Sequence, residues 1–327
     1  MVIRRHLAIR PLLATAKSRW RSEALIDYPY SMANLEVTDV HHSYGPKQVL
    51  NGVNLRVDAG QVVALVGPSG CGKSTLLRAI LGTHPPTSGE IRVGDKQVTR
   101  PTRDVGIVYQ HYSLYPFLTA RQNVAFGLKL DQTSTPYRLF NYFSWRRLRQ
   151  QHLQQADQML KKVGLYEARH QYPAEMSGGM RQRVAIAQSL IMEPRVLLLD
   201  EPFGALDEAT REELQLMLLR LYAENVAARN AGQTPPYTVI IVTHELNEAL
   251  FVSDRVLGLS QYHQDGAGGA TIVYDRPAPV FRPDEPKDLS RFAEQKEELI
   301  GAVFSESHQR DHRQFLTFWE EKSRAAR

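Results

Sequence analysis

The rhythm of apolar and polar positions changes several times along the chain. Residues 35–40 and 49–57 alternate, as strands with one wet face do, and Tyr44, Gly45 and Pro46 mark a turn between them. Residues 61–66 form an almost unbroken apolar run, the pattern of a strand buried on both faces. That run leads into a glycine-rich loop and a helix over 73–81, with short strands expected at 90–93 and 105–109. Residues 119–192 read as mostly helical, with breaks near Pro136 and at 172–179. Runs at 195–199 and 238–242 are again buried strands, each followed by a polar turn and a helix. Strands alternating with helices predict a mainly parallel sheet covered on both faces, with the helical stretch at about 112–192 forming its own lobe. Beyond about residue 258 the signal weakens. A tight loop at 265–269 lies between two expected edge strands, and amphipathic helices are expected near 287–304 and 308–325.

A 43% hydrophobic share across 327 residues is enough for a large core and excludes a wholly disordered chain. No apolar stretch approaches the roughly eighteen residues a membrane-spanning helix needs. One cysteine, Cys71, excludes an internal disulfide framework and fits a reducing compartment. The net charge of +5 is unevenly spread: residues 1–31 carry six basic groups against two acids, and the rest is close to neutral. Charge therefore gives no argument for a nucleic-acid partner. The basic start reads either as an organelle transit segment or as an over-long reading frame whose initiator is Met32. The second is favoured, and 1–31 is expected to be a disordered extension in both cases.

Gly67, Pro68, Ser69, Gly70, Cys71, Gly72, Lys73 and Ser74 fill all eight positions of the phosphate-binding loop pattern, between a buried strand and a helix. Glycines let backbone N–H groups turn towards an anion with no Cβ in the way. The helix that follows presents its positive end to the same anion. Lys73 then reaches the β/γ-phosphates and the Ser74 hydroxyl ligates Mg²⁺. Cys71, beside that helix end, is placed where a thiolate is favoured. The run 196–199 ends in Asp200 and Glu201. Asp200 is suited to hold Mg²⁺ through water, and Glu201 to orient or deprotonate an attacking water. Ser177, Gly178 and Gly179 open another helix, as an ordinary N-cap and as a second anion site by the same dipole logic.

With these spacings the chain resembles ATP-binding-cassette (ABC) ATPases over roughly residues 34–260. The resemblance implies an α/β P-loop NTPase of ABC type: a mainly parallel core sheet, an antiparallel β subdomain and an inserted helical subdomain. The ATPase domain would span 32–260, followed by a C-terminal extension over 261–327. Tyr44 matches the aromatic that stacks on adenine, and the ATP-binding loop runs from Gly67 to Thr75. Gln110 matches the glutamine that touches Mg²⁺ and the attacking water. Met176 to Met180 matches the signature, with Met180 where glutamine is commonest, and its Ser177, Gly178 and Gly179 would contact ATP in trans. Asp207 matches the D-loop and His244 the switch histidine. Catalysis would then rest on Glu201, His244 and Gln110, and metal binding on Ser74, Gln110 and Asp200.

In this family two cassettes pair head to tail around ATP and Mg²⁺. The implied partners are a second copy or second cassette, membrane-spanning permease subunits and, indirectly, a solute-binding protein, with no nucleic acid. The implied location is peripheral, at the cytoplasmic face of the bacterial inner membrane. A soluble repair or translation ATPase and a degenerate regulatory cassette are the competing classes. Only about a hundred residues separate the phosphate loop from the signature, one cassette is present, and Lys73, Glu201 and His244 are all retained. The importer reading leads, most like nitrate, sulfonate and taurine importers. Residues 131–150 depart from the family by their length. There Tyr137, Phe140, Tyr142, Phe143 and Trp145 interleave with Arg138, Arg146, Arg147 and Arg149. Two readings stay open: a brace against permease or lipid headgroups, or a partly buried helical insertion with a solvated basic edge.

Overall fold

The computed structural model describes residues 33–110, 113–261, 268–279, 281 and 292–304. The expected extension at 1–31 and the helix at 308–325 lie outside them.

Strands β1 (Ala33–Tyr44) and β2 (Lys47–Asp58) form an antiparallel ladder in which Val37 faces Leu55 and Val40 faces Val53. Both strands run further than their alternating apolar cores. The ladder continues through His42 and Ser43 to the Tyr44–Lys47 pair, where Gly45 turns the chain at φ +59°. Strand β4 (Ser88–Val93) pairs with the free edge of β1, and β5 (Lys96–Gln97) with β4. This four-stranded sheet is the antiparallel layer.

The second sheet has β3 (Val62–Val66), β6 (Val105–Val108), β7 (Val196–Asp200), β8 (Val239–Val242) and β9 (Arg255–Ser260) in parallel, with β10 (Thr271–Pro277) antiparallel on its edge. Its order is β10-β9-β3-β8-β7-β6. The two-residue period of a strand sends neighbouring side chains to opposite faces. Val62, Ala64, Leu197, Leu199, Val239 and Ile241 pack into the core on one side. Val63, Leu65, Val196, Leu198, Ile240 and Val242 pack with the antiparallel layer on the other. Burial on both faces explains the continuous apolar runs.

Helix α1 (Lys73–Leu81) follows β3. Between β6 and β7 lie α2 (Ala120–Gln132), α3 (Thr135–Phe140), α4 (Tyr142–Lys162) and α5 (Gly178–Leu190). Thr119 and Gln122 form a capping box that starts α2. The break expected near Pro136 is present at Thr133–Ser134: Ser134 caps α3, and proline occupies its first turn, where its missing N–H costs nothing. Arg121 and Asp157 pair at 2.7 Å between α2 and α4. Helices α6 (Glu208–Asn230) and α7 (Leu246–Val252) follow β7 and β8.

Two expectations for the C-terminal part change. Of the two strands flanking 265–269, only β10 is an edge; β9 is interior, paired with both β3 and β10. Helix α8 (Ala293–Val303), the described part of the helix expected at 287–304, packs on the cassette. A Cβ on Gly258 would fall 2.2 Å from Val303 Cγ2, and Ser260 Oγ donates to the Val303 carbonyl at 2.6 Å. Phe281 meets Phe251 in a tilted contact and Phe292, the N-cap of α8, edge to face, with ring centroids 4.9 and 5.8 Å apart.

Candidate active site

The glycine-rich loop leaves the C-terminal end of β3 under tight spatial limits. A Cβ on Gly67 would lie 2.2 Å from the Leu259 carbonyl oxygen, so only glycine passes β9 there. Gly70 (φ +76°) and Gly72 (φ +111°) take left-handed backbone, and Gly72 is the N-cap of α1 without any side chain. The Gly72 face also meets Val49 and Leu50 of β2, which seats the antiparallel layer against the loop. Lys73 is buried. Its ammonium donates to the Gly67 carbonyl at 2.7 Å and to the Pro68 carbonyl at 3.0 Å, folding back on its own loop. Thr75 is buried one position beyond the exposed Ser74.

The expectation of a thiolate at Cys71 is overturned. The residue is 1% exposed, and burial pushes its thiol up from the ordinary value, outweighing the nearby Lys73 charge. Desolvation wins because the side chain points into the core beneath the loop rather than towards the helix dipole's solvent side.

The other motifs meet this loop along one edge of the sheet. Leu65 of β3 is in register with Val242 of β8, Val242 with Asp200 of β7, and Val108 of β6 with Leu199. The residues just past those positions are the loop at 67–74, Gln110, Glu201 and His244. Glu201 turns the chain in left-handed backbone at φ +48°, and its N–H bonds the Val242 carbonyl at 2.9 Å. A Cβ at Gly204 would lie 3.2 Å from Gln110 Nε2 and 3.8 Å from Glu201 Oε2, so those side chains converge over a glycine. His244 Nδ1 is 3.7 Å from Glu201 Oε1, and its Nε2 is 3.8 Å from Glu245 Oε1. Burial and the adjacent Glu201 charge raise the Asp200 carboxyl, while Arg78 and Lys73 draw it back.

Among the described residues no three His, Cys, Asp or Glu side chains form a metal cage. The oxygen donors present are the Ser74 hydroxyl, the Gln110 amide and Asp200, the last with a charge its surroundings do not fully compensate. That set fits Mg²⁺, which binds few protein oxygens and completes its shell with phosphate and water.

Ser177 and Asp207 cap two helices whose first turns pack against each other. Ser177 caps α5, its Oγ accepting from the Met180 N–H at 3.2 Å. The bond uses the backbone of Met180, so the identity of that side chain is immaterial to the cap. Asp207 caps α6, Oδ1 accepting from the Thr210 N–H at 3.0 Å and Oδ2 from the Thr210 hydroxyl at 2.8 Å, which hold its carboxyl below the ordinary range. A Cβ on Gly179 would fall 1.7 Å from Thr210 Cγ2. Tyr44 is exposed at the hairpin turn and makes an edge contact with His42, ring centroids 4.8 Å apart.

Several functional neighbours escape sequence reasoning. Buried Asn123 accepts from the Tyr115 N–H at 2.8 Å and donates to the Tyr115 and Leu118 carbonyls, pinning the segment after Gln110 onto α2. Glu248 accepts from the Thr243 hydroxyl at 3.1 Å and pairs with Arg211 at 3.2 Å, tying the start of α6 to the segment that carries His244. The pattern Asp-x-x-Thr at 207–210 does signal a cap; the other contacts have no local signature.

The family model described as ABC transporter matches residues 50–204. A sulfate/thiosulfate import ATP-binding protein of Nocardia farcinica is 40% identical over 76% of this chain and 68% of its own length. A nitrate import ATP-binding protein of Synechocystis is 42% identical over 69% and 78%. An aliphatic sulfonates import ATP-binding protein of Pseudomonas entomophila is 38% identical over 83% and 86%. The chain spans about two thirds of the sulfate/thiosulfate relatives, 65% in the Gloeobacter violaceus protein. Among solved structures, a dimeric ATP-binding cassette in a post-hydrolysis state bound to ADP and Pi matches with a TM-score of 0.57 at 28% identity, over 76% of this chain and all of that one. The cbiO1 protein of Clostridium perfringens, at 24% identity and a TM-score of 0.58 over 81% of this chain and 92% of that one, shares the fold.

Proposed function

The chain belongs to the ABC transporter ATPases, and from that premise we propose that it is the ATP-hydrolysing subunit of an importer, closing head to tail with a second copy to drive membrane-spanning permease subunits. The observation that supports the reading is the register that sets the phosphate loop, Gln110, Asp200–Glu201 and His244 along one end of β3, β6, β7 and β8, with the Ser177 helix start packed against the helix that Asp207 caps. On this reading the chain holds two halves of a site and needs another copy to unite them.

On this reading Lys73 leaves the Gly67 and Pro68 carbonyls and turns to the β/γ-phosphates, exchanging two neutral acceptors for charged ones. Tyr44, solvent-facing, stacks on adenine. Ser74, Gln110 and Asp200 would hold Mg²⁺, which supplies charge neutralisation on the phosphates. Glu201 accepts the proton of a water whose oxygen bonds the γ-phosphorus as the bond to the β–γ bridging oxygen breaks, leaving ADP and phosphate. His244, within 3.7 Å of Glu201, and Gln110 hold that carboxylate and water in line. Ser177, Gly178 and Gly179 of the other copy present N–H groups and a hydroxyl to the γ-phosphate. Loss of the bridging phosphate releases the pair and resets the permease.

The relatives' names support a small anionic solute of the sulfate, nitrate or sulfonate kind, and on this reading a separate solute-binding protein delivers it. Among the described residues no helix is long and apolar enough to cross a membrane. This suits a peripheral subunit at the cytoplasmic face that relies on other chains for the pore. The neutral body supports no nucleic-acid partner.

Mixing two inactive variants tests the shared site. Lys73→Ala and Ser177→Arg each disable one half, so each alone should be inert, whereas a mixed pair contains one intact composite site. Hydrolysis should reappear on mixing and peak near equal amounts. Mixtures that stay inert, or a Ser177→Arg variant that hydrolyses normally, would refute the trans arrangement.

A further inference from the structure

The corner between α3 and α4 leaves its largest apolar side chains in water. Phe140 is 81% exposed, Phe143 85% and Tyr142 53%. Rings of that size ordinarily move out of water on folding, and here nothing described covers them. The same corner is one-sided in charge: residues 132–156 contain four arginines and no carboxylate. Arg138 is spent on the Ser134 and Thr133 carbonyls at the foot of α3. Arg146, Arg147 and Arg149 are exposed, and none of the three has a salt bridge among the described residues. Helical spacing sets Phe143 beside Arg146 and Arg147, Tyr142 beside Trp145 and Arg146, and Trp145 beside Arg149. The rings of Tyr142 and Phe143 meet at 5.8 Å, and Arg149 lies 5.8 Å from the Trp145 ring.

We propose that this corner docks on an anionic phospholipid surface, with Phe140 and Phe143 entering the headgroup–acyl boundary and Arg146 and Arg147 pairing with lipid phosphates. Phenyl rings flanked by arginines are the composition of helices that lie in a bilayer interface. The negative cytoplasmic leaflet supplies the complementary charge, with no acid on the corner to oppose it. The cavity lined by Phe117, Phe126, Trp145 and His152 beside it involves neither Phe140 nor Phe143, so that cavity is not where the two rings would be received. The proposal stands independently of the importer reading, since it concerns the isolated chain and lipid.

The test is sedimentation of the full chain with phosphatidylglycerol-containing vesicles and with pure phosphatidylcholine vesicles. Its readouts are compared for the native chain, a Phe140→Ser/Phe143→Ser pair and an Arg146→Gln/Arg147→Gln pair. The native chain should prefer the anionic vesicles. Each pair should lower partitioning by about tenfold or more, and salt should weaken the native binding and barely affect the arginine variant. ATP hydrolysis in detergent-free buffer should be unchanged in both variants, which keeps this result separate from any failure of the catalytic reading. Equal binding to both vesicle types overturns the proposal. So does undiminished binding by the variants, which would move the lipid contact to another basic segment such as 1–31. Binding of a single-stranded oligonucleotide with the same residue dependence, in place of vesicles, overturns it too.

Discussion

Thr210 Cγ2 fills the space that a side chain at Gly179 would need, 1.7 Å from where its Cβ would stand. Thr210 is held there by both carboxylate oxygens of Asp207, through its N–H and its hydroxyl. The start of α5 and the start of α6 are thus one packed unit, and the glycine serves the contact between them.

Gly179→Ala therefore forces α5 off α6. We expect a stability loss of about 1–3 kcal/mol, the usual cost of overpacking, together with loss of hydrolysis. Thr210→Ser removes only the obstructing methyl and keeps the hydroxyl that bonds Asp207. The double variant should regain its melting temperature in calorimetry. A double variant as unstable as Gly179→Ala would remove Thr210 as the cause.

Cys71 is expected to be a slow thiol. Its side chain is buried and burial raises its pKa, so at neutral pH both access and thiolate fraction are low. Alkylation of the native protein, followed by mass spectrometry, should be far slower than after denaturation, with or without ATP. Rapid native labelling that ATP blocks would instead return Cys71 to the solvent side of the loop.

Much of the parallel sheet was legible because burial on both faces demands unbroken apolar runs, as at β3, β7 and β8. Strand β9 was legible only as an edge: its place between β3 and β10, and the need of Val303, 45 residues on, for a glycine at 258, have no local pattern. Strand β5 is two exposed polar residues with no apolar pattern, held by its ladder to β4 and by Lys96 reaching Asp104 at 3.3 Å. The chemistry-bearing positions stood out by residue type and spacing. Their convergence did not: Gln110 and Glu201 meet over Gly204, and Gly179 meets Thr210, through contacts between distant segments. The Cys71 expectation failed because a helix N-terminus was weighed without the burial that opposes it.

Arg211 and Glu248 join the start of α6 to the segment between β8 and α7. Glu248 is buried, raised by desolvation, and drawn back by Thr243 and Arg211. Arg211→Ala leaves that carboxylate without its cation, and because Arg211 is partly exposed we expect about 1–3 kcal/mol of destabilisation in urea. Glu248→Gln on the Arg211→Ala background should recover part of it, since the uncompensated charge is gone. An additive double variant would show that the two residues do not interact.

Asp254 should give the protein a distinctive pH response. Its N–H donates to the Val62 carbonyl at 2.9 Å and its Oδ1 accepts from the Val62 N–H at 3.3 Å, a closed pair between β3 and the turn before β9. Burial pushes the carboxyl up to about 7 despite the charges of Arg229 and Arg255, and its own charge helps raise Tyr222 to about 12. The folded protein therefore binds a proton that the unfolded chain, with an ordinary value of 3.8, has lost. With more protons on the folded side, stability contributed by this group is full below the ordinary value and declines as pH rises towards 7, by at most about 1.4 kcal/mol per unit. Above 7 the contribution is flat. Asn at this position keeps an oxygen for the Val62 N–H and carries no charge, so Asp254→Asn should flatten the fall in urea-denaturation stability between about pH 4.5 and 7 and leave the variant relatively more stable at pH 8. If native and variant chains keep parallel stability curves across that window, the carboxyl is ionised in the fold at an ordinary pKa and Asp254 is held by its hydrogen bond alone.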